Sequence, residues 1–152
     1  MKRTIARIVR DPDDAADTLQ DALASIWKNL KKIHLHPNPQ AYILGICINS
    51  SYDTLRKRSR RSEREVALEH THDLPSTQGW PDAHAIERER EREILAAVAS
   101  LPPKQAQAVF LRLVEGESFQ AIARVIGCRE ETARSHVSKG KAVLAEALAS
   151  LL

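Results

Sequence analysis

The chain has 152 residues, enough for one domain or two small ones, with 4% aromatic residues, five glycines and a formal net charge of +3. Ala, Leu, Arg and Glu dominate, and no segment alternates with period two, so a sheet protein is excluded in favour of an all-α one. No apolar run is long enough to span a membrane and Met1-Lys2-Arg3 lacks the apolar core of a secretory signal, so no membrane insertion and a cytoplasmic location are expected.

Asp11-Pro12-Asp13-Asp14 is a helix-start signal: an acidic cap, a proline in the first turn and more acid against the helix dipole. Ala15, Leu19, Ala22, Leu23, Ile26, Trp27 and Leu30 then recur at helical spacing as one apolar stripe. The opposite face carries Asp14, Asp17, Gln20, Asp21 and Lys28. The prolines of Lys32 to Pro39 mark a loop, and Asn38-Pro39 starts a long helix that is expected to end in the basic run Arg56 to Arg61. From Ser62 to about Ala85 the periodicity fades, as in an interdomain linker, and two halves moving independently are expected. Neither half alone has the apolar residues for a large core. A second helical block begins near Ala85, Leu101-Pro102-Pro103 breaks it, and Lys104 to Val114 forms the next helix.

Ser118 to Lys139 reads as a helix-turn-helix. Ile122 and Ile126 stand four apart on a short first helix, and Ala123 lets a second helix approach. Gly127 supplies a turn residue that tolerates positive φ, and Ala133 and Val137 form the seam of the second helix. Its remaining faces hold Glu130, Glu131, Arg134, Ser135, Ser138 and Lys139, residue types that hydrogen-bond base edges and phosphates. The two glutamates repel phosphate, so they fit only beside base edges or at the helix entrance. A further amphipathic stretch, Ala142 to Leu152, closes the chain.

Cys47 and Cys128 lie in apolar contexts and read as core thiols rather than a disulfide. The His34/His36 and His70/His72 pairs have no evident third ligand, so solvated histidines are expected rather than a metal site. There is no nucleophile-base set and no phosphate-cradling glycine loop, so neither a cofactor nor an enzyme activity is expected.

The order of these parts resembles the extracytoplasmic-function subgroup of bacterial sigma-70 factors. Asp14 to Trp27 follows the acidic helix of sigma region 2, and Ala41 to Arg58 follows the helix after it. Leu101-Pro102-Pro103 through the helix-turn-helix to Leu148 follows region 4. The start of the chain so near the acidic helix implies a shortened opening of region 2. Tyr42, Ile48, Ala106, Ala121 and Arg129 depart from the family's usual residues.

The resemblance implies two small helical bundles: a region 2-like domain at 1–61, a flexible linker at 62–85 and a region 4-like domain at 86–152. It also implies core RNA polymerase, promoter DNA and an anti-sigma factor as partners. Asp14, Asp17, Gln20 and Asp21 would contact polymerase. Asn49, Asp53, Arg56, Lys57, Arg58, Arg60 and Arg61, with the loop from Ile33 to Pro39, would read and melt the −10 element. Arg134, Ser135, Ser138 and Lys139 would read the −35 element. Two alternatives remain at this point: a plain helix-turn-helix regulator, and a sigma-like mimic that occupies an anti-sigma factor without transcribing.

Overall fold

The computed structural model describes residues 1–69 and 83–149. Among them are eight helices and no strand: α1 (Lys2–Ile8), α2 (Pro12–Lys28), α3 (Leu30–Leu35), α4 (Pro39–Glu69), α5 (Ala83–Ser100), α6 (Pro103–Leu113), α7 (Phe119–Ile126) and α8 (Glu130–Ala149).

The start of α2 follows from its first four residues. The Asp11 carboxylate accepts hydrogen bonds from the backbone N–H groups of Asp13 and Asp14, both at 3.0 Å, and Pro12 occupies the first turn, where no N–H is needed. Asp11→Ala is expected to lower stability by about 1 kcal/mol, read as a lower urea midpoint with an unchanged slope.

Only part of the apolar stripe on α2 turns inward. Ala22 is buried, with Ala15 and Leu19 partly so, and Thr18 places its hydroxyl 2.7 Å from that of Thr54 on α4. Leu23 is 50% exposed and Trp27 76% exposed, so the outer half of the stripe faces solvent. A sequence stripe records which residues are apolar; the width of the neighbouring helix decides how many of them are covered.

Three boundaries differ from the sequence reading. Lys32 to Leu35, read as part of the loop, belong to a short helix, Leu30–Leu35, too brief to show a period. Helix α4 continues past Arg61 to Glu69, because Ser62 to Glu69 contains good helix formers and no Gly or Pro. The second helix of the helix-turn-helix and the closing stretch are one helix of 20 residues, with Gly140 inside it. That glycine is where α8 meets α6: a Cβ there would lie 2.4 Å from Val109 Cγ2. Residues 70–82, including His70 and His72, lie outside the described residues.

Helix α4 touches α1, α2 and α3 on one side and α5, α6 and α7 on the other. A single buried cluster runs through it, joining Ile5, Cys47, Ile48 and Tyr52 of the first half to Leu101, Leu111, Ile122 and Ala133 of the second. The two halves thus meet along α4 among the described residues. Residues of both halves contribute to that cluster. Burial raises the Tyr52 phenol to about 12, against which nearby Arg56 pulls weakly. Because the folded state holds that proton more tightly, stability is full below pH 10 and falls between about pH 10 and 12.

Candidate nucleic-acid interface

The helix-turn-helix forms as its residues dictate. The Ser118 hydroxyl caps α7 by accepting from Ala121 N–H at 3.1 Å. Gly127 ends α7 at φ 73°, in the left-handed region, and its N–H and that of Cys128 both reach Ala123 O, at 2.9 and 3.0 Å. Ile122, Ala123, Ala133 and Val137 are buried between α7 and α8, as their spacing predicts. Arg134, Ser135, Ser138 and Lys139 are all exposed along the first half of α8, while Gly140 and Val137 hold the opposite face against the core.

Arg134 is held in place on two sides. Its guanidinium donates to Glu130 Oε1 at 2.7 Å and lies 4.3 Å from the centre of the Phe119 ring. The Arg112 guanidinium sits 4.6 Å from the same ring centre. Glu130, at the entrance of α8, thus orients an arginine, which accounts for an acid at the edge of a basic surface. His136 lies on the same helix; partial burial and the neighbouring Lys104 and Lys139 lower its pKa from the usual imidazole value.

A second polar surface runs along α4. Asn49, Asp53, Lys57, Arg58, Arg60 and Arg61 are exposed. Arg56 is not: its side chain is only 20% exposed, bonded to Asp53 Oδ1 at 3.1 Å and to backbone of the second half. Asn49 lines a groove of about 300 Å³ between α4, α6 and α7, together with Tyr42, Ile46, Lys104 and Gln107.

The third surface is α2, where Asp17, Gln20 and Asp21 are exposed. Asp14 differs: it pairs with Arg58 at 3.5 Å, tying the acidic face to the basic end of α4.

Comparison with known proteins gives these surfaces a common context. The family model described as Sigma-70 region 2 matches residues 1–61, and that described as Sigma-70, region 4 matches residues 91–144. The chain is 33% identical over 147 residues to the RNA polymerase sigma-E factor of Streptomyces coelicolor, covering 96% of this chain and 78% of that one. The chain belongs to the sigma-70 family. It falls in the extracytoplasmic-function group, as does a relative from Bacillus subtilis, the ECF RNA polymerase sigma factor SigX, 24% identical over 139 residues, 90% of this chain and 72% of that one. The solved sigma factor RpoE of Bartonella quintana, in complex with the anti-sigma factor NepR, superposes with a TM-score of 0.54 at 25% identity, covering 97% of this chain and 88% of that one.

Three features of this sigma factor escaped sequence reading. The Arg112–Phe119–Arg134 stack joins residues from three helices, and no local spacing signals it. The outward turn of Leu23 and Trp27 continues the acidic face of α2 with apolar surface. His36, one of the paired loop histidines, accepts from Asn38 N–H at 3.0 Å and reaches Arg124 O on α7 at 3.2 Å, so its ring links the two halves of the sigma factor. Among the described residues no group of three or more His, Cys, Asp or Glu is placed to hold a metal ion. None of the described helices is long and apolar enough to cross a membrane.

Proposed function

We propose that this sigma factor acts in the cytoplasm, binding core RNA polymerase and directing it to promoters without itself performing chemistry. The observation that carries the reading is the open first half of α8. A capped helix, a left-handed glycine turn and a buried Ala133–Val137 seam present four polar side chains to the outside, as a major-groove reader requires. Arg134 reads a base edge, Ser135 and Ser138 donate to bases or phosphates, and Lys139 anchors the backbone of the −35 element.

The α4 face takes the −10 element. Asn49 offers an amide to a base edge, Asp53 accepts from an exocyclic amine, and Arg56, Lys57, Arg58, Arg60 and Arg61 carry the single-stranded backbone. The loop ending at Pro39 lies at the start of the same helix and receives an extruded base. On α2, Asp14, Asp17, Gln20 and Asp21 engage a basic helix of the polymerase, with Leu23 and Trp27 adding apolar contact beside them. An anti-sigma factor is a third partner, a role supported by the Bartonella quintana relative solved with NepR.

Arg134→Ala is expected to weaken binding to the cognate −35 duplex by about 1–3 kcal/mol and to relax preference at one base position. Lys139→Ala should weaken all duplexes alike and lower the slope of log K against log salt by about 1. Both are read by fluorescence anisotropy across a salt series. The proposal as a whole is tested by purifying the chain with core polymerase and sequencing the DNA retained. One enriched two-part motif is the expected outcome; DNA retained equally well without polymerase would point to a plain helix-turn-helix regulator.

A further inference from the structure

The groove between α4, α6 and α7 holds a polar group that the fold leaves unpaired. Gln107 is only 7% exposed, and its carboxamide makes no hydrogen bond to any of the described residues. It lines the groove from α6, and the chain makes room for it there. Gly45 of α4 lies against it, where a Cβ would come 2.5 Å from Gln107 Nε2. A buried amide without a partner lowers stability, so its presence points to a partner from outside the chain.

The rest of the groove says what that partner is. Lys104, exposed at its edge, is the one cation among the described lining residues, and none of them is acidic. The N-terminal end of α6 lies at the same edge and no side chain caps it, so its dipole also favours an anion. Asn49 brings a second carboxamide, likewise without a hydrogen bond to the described residues. Ile46, Val125 and Ile126 supply apolar wall, beside the Tyr42 ring, whose centre lies 5.0 Å from that of His36.

We propose that this groove binds a small planar carboxylate carrying an amide edge, its carboxylate at Lys104 and its amide edge on Asn49 and Gln107. One lysine balances one negative charge, which suits a carboxylate better than a phosphate monoester of about −1.5 to −2. Each carboxamide offers a donor and an acceptor side by side, and so matches a ring amide that does the same. A flat body fits between the apolar side chains and the Tyr42 ring. The volume of about 300 Å³ is at the small end for ligand sites, about ten water volumes, and admits about ten non-hydrogen atoms.

Uracil-6-carboxylate has this size, charge and edge, and serves as the probe. Uracil lacks the carboxylate, and benzoate lacks the amide edge. Titrating the isotope-labelled full chain by NMR follows the side-chain amide signals of Asn49 and Gln107 directly. The expected dissociation constant for uracil-6-carboxylate is about 0.1–1 mM, with uracil and benzoate at least about tenfold weaker. Lys104→Ala removes the cation, and Gln107→Met removes the amide at similar volume; each should weaken the probe about tenfold. Gln107→Met should also leave the urea midpoint equal or higher, because it removes an unpaired buried polar group, whereas a Gln107 kept for packing would lower it.

No shift at Asn49 and Gln107 up to about 10 mM probe overturns the site. Benzoate bound as tightly as the probe overturns the amide edge, and a Lys104→Ala chain that binds like the wild type overturns the carboxylate's place. If circular dichroism shows that Gln107→Met does not fold, the exposed substitution Lys104→Ala and the two control ligands decide. Binding is measured without DNA or polymerase, so its failure leaves the promoter reading untouched.

Discussion

Reversing two charges on α2, Asp17→Lys with Asp21→Lys, is expected to weaken binding to core polymerase by about a hundredfold or more, some 2.7 kcal/mol. Both carboxylates are exposed and sit one turn apart, so a partner helix meets them together. Placing like charges across such a contact costs several kcal/mol, more than neutralisation would. The fold should be untouched, because neither side chain is buried or shares in the Asp11 cap. Circular dichroism and the urea midpoint should match the wild type while polymerase affinity falls. The wild-type association rate should also drop steeply with salt and the variant's should not, since steering by the acidic face is lost. Asp14 is a poorer site for this test, because its pairing with Arg58 mixes polymerase contact with the internal tie between α2 and α4.

Gly140→Leu is expected to have the largest effect on the fold, a loss of about 3 kcal/mol, at the upper end for overpacking a filled seam. A Cβ at this position already lies 2.4 Å from Val109 Cγ2, and Val109 is itself buried and stiff about its first torsion. The strain falls on the seam between α6 and α8, the element that presents Arg134 to Lys139, so −35 duplex affinity should fall with stability. Urea unfolding gives the size of the loss. Pairing Gly140→Ala with Val109→Ala removes the clash and should restore most of it, since alanine is also the better helix former. A Gly140→Leu chain as stable as the wild type would contradict the α6–α8 packing.

The parts of this fold legible in the sequence are those set by local chemistry. Asp11-Pro12 marks the start of α2 because capping involves only the next three residues. Ile122, Ala123, Gly127, Ala133 and Val137 mark the helix-turn-helix because its turn and seam impose a residue type at each position. What stayed illegible depends on distant partners. Leu23 and Trp27 look like core until the limited reach of α4 leaves them outside. Arg56 looks like one more cation in a basic run until the end of α5 arrives beneath it. The composition of residues 62–85 suggests a tether and gives no sign that one buried cluster runs through both of the halves it connects, because those contacts join residues far apart in sequence.

Those contacts also bear on the three surfaces. Arg134, Ser135, Ser138 and Lys139 on α8 and Asp17, Gln20 and Asp21 on α2 are exposed, whereas Arg56 on α4 is largely covered.

The most direct measurement of the central claim is run-off transcription from a promoter carrying the enriched two-part motif, with purified core polymerase and this chain. A discrete transcript is predicted with the wild type, with strong loss for Asp17→Lys/Asp21→Lys and for Arg134→Ala. No transcript above core polymerase alone, despite tight binding of the wild-type chain to an anti-sigma factor, would contradict a sigma factor that initiates transcription and leave a mimic in its place.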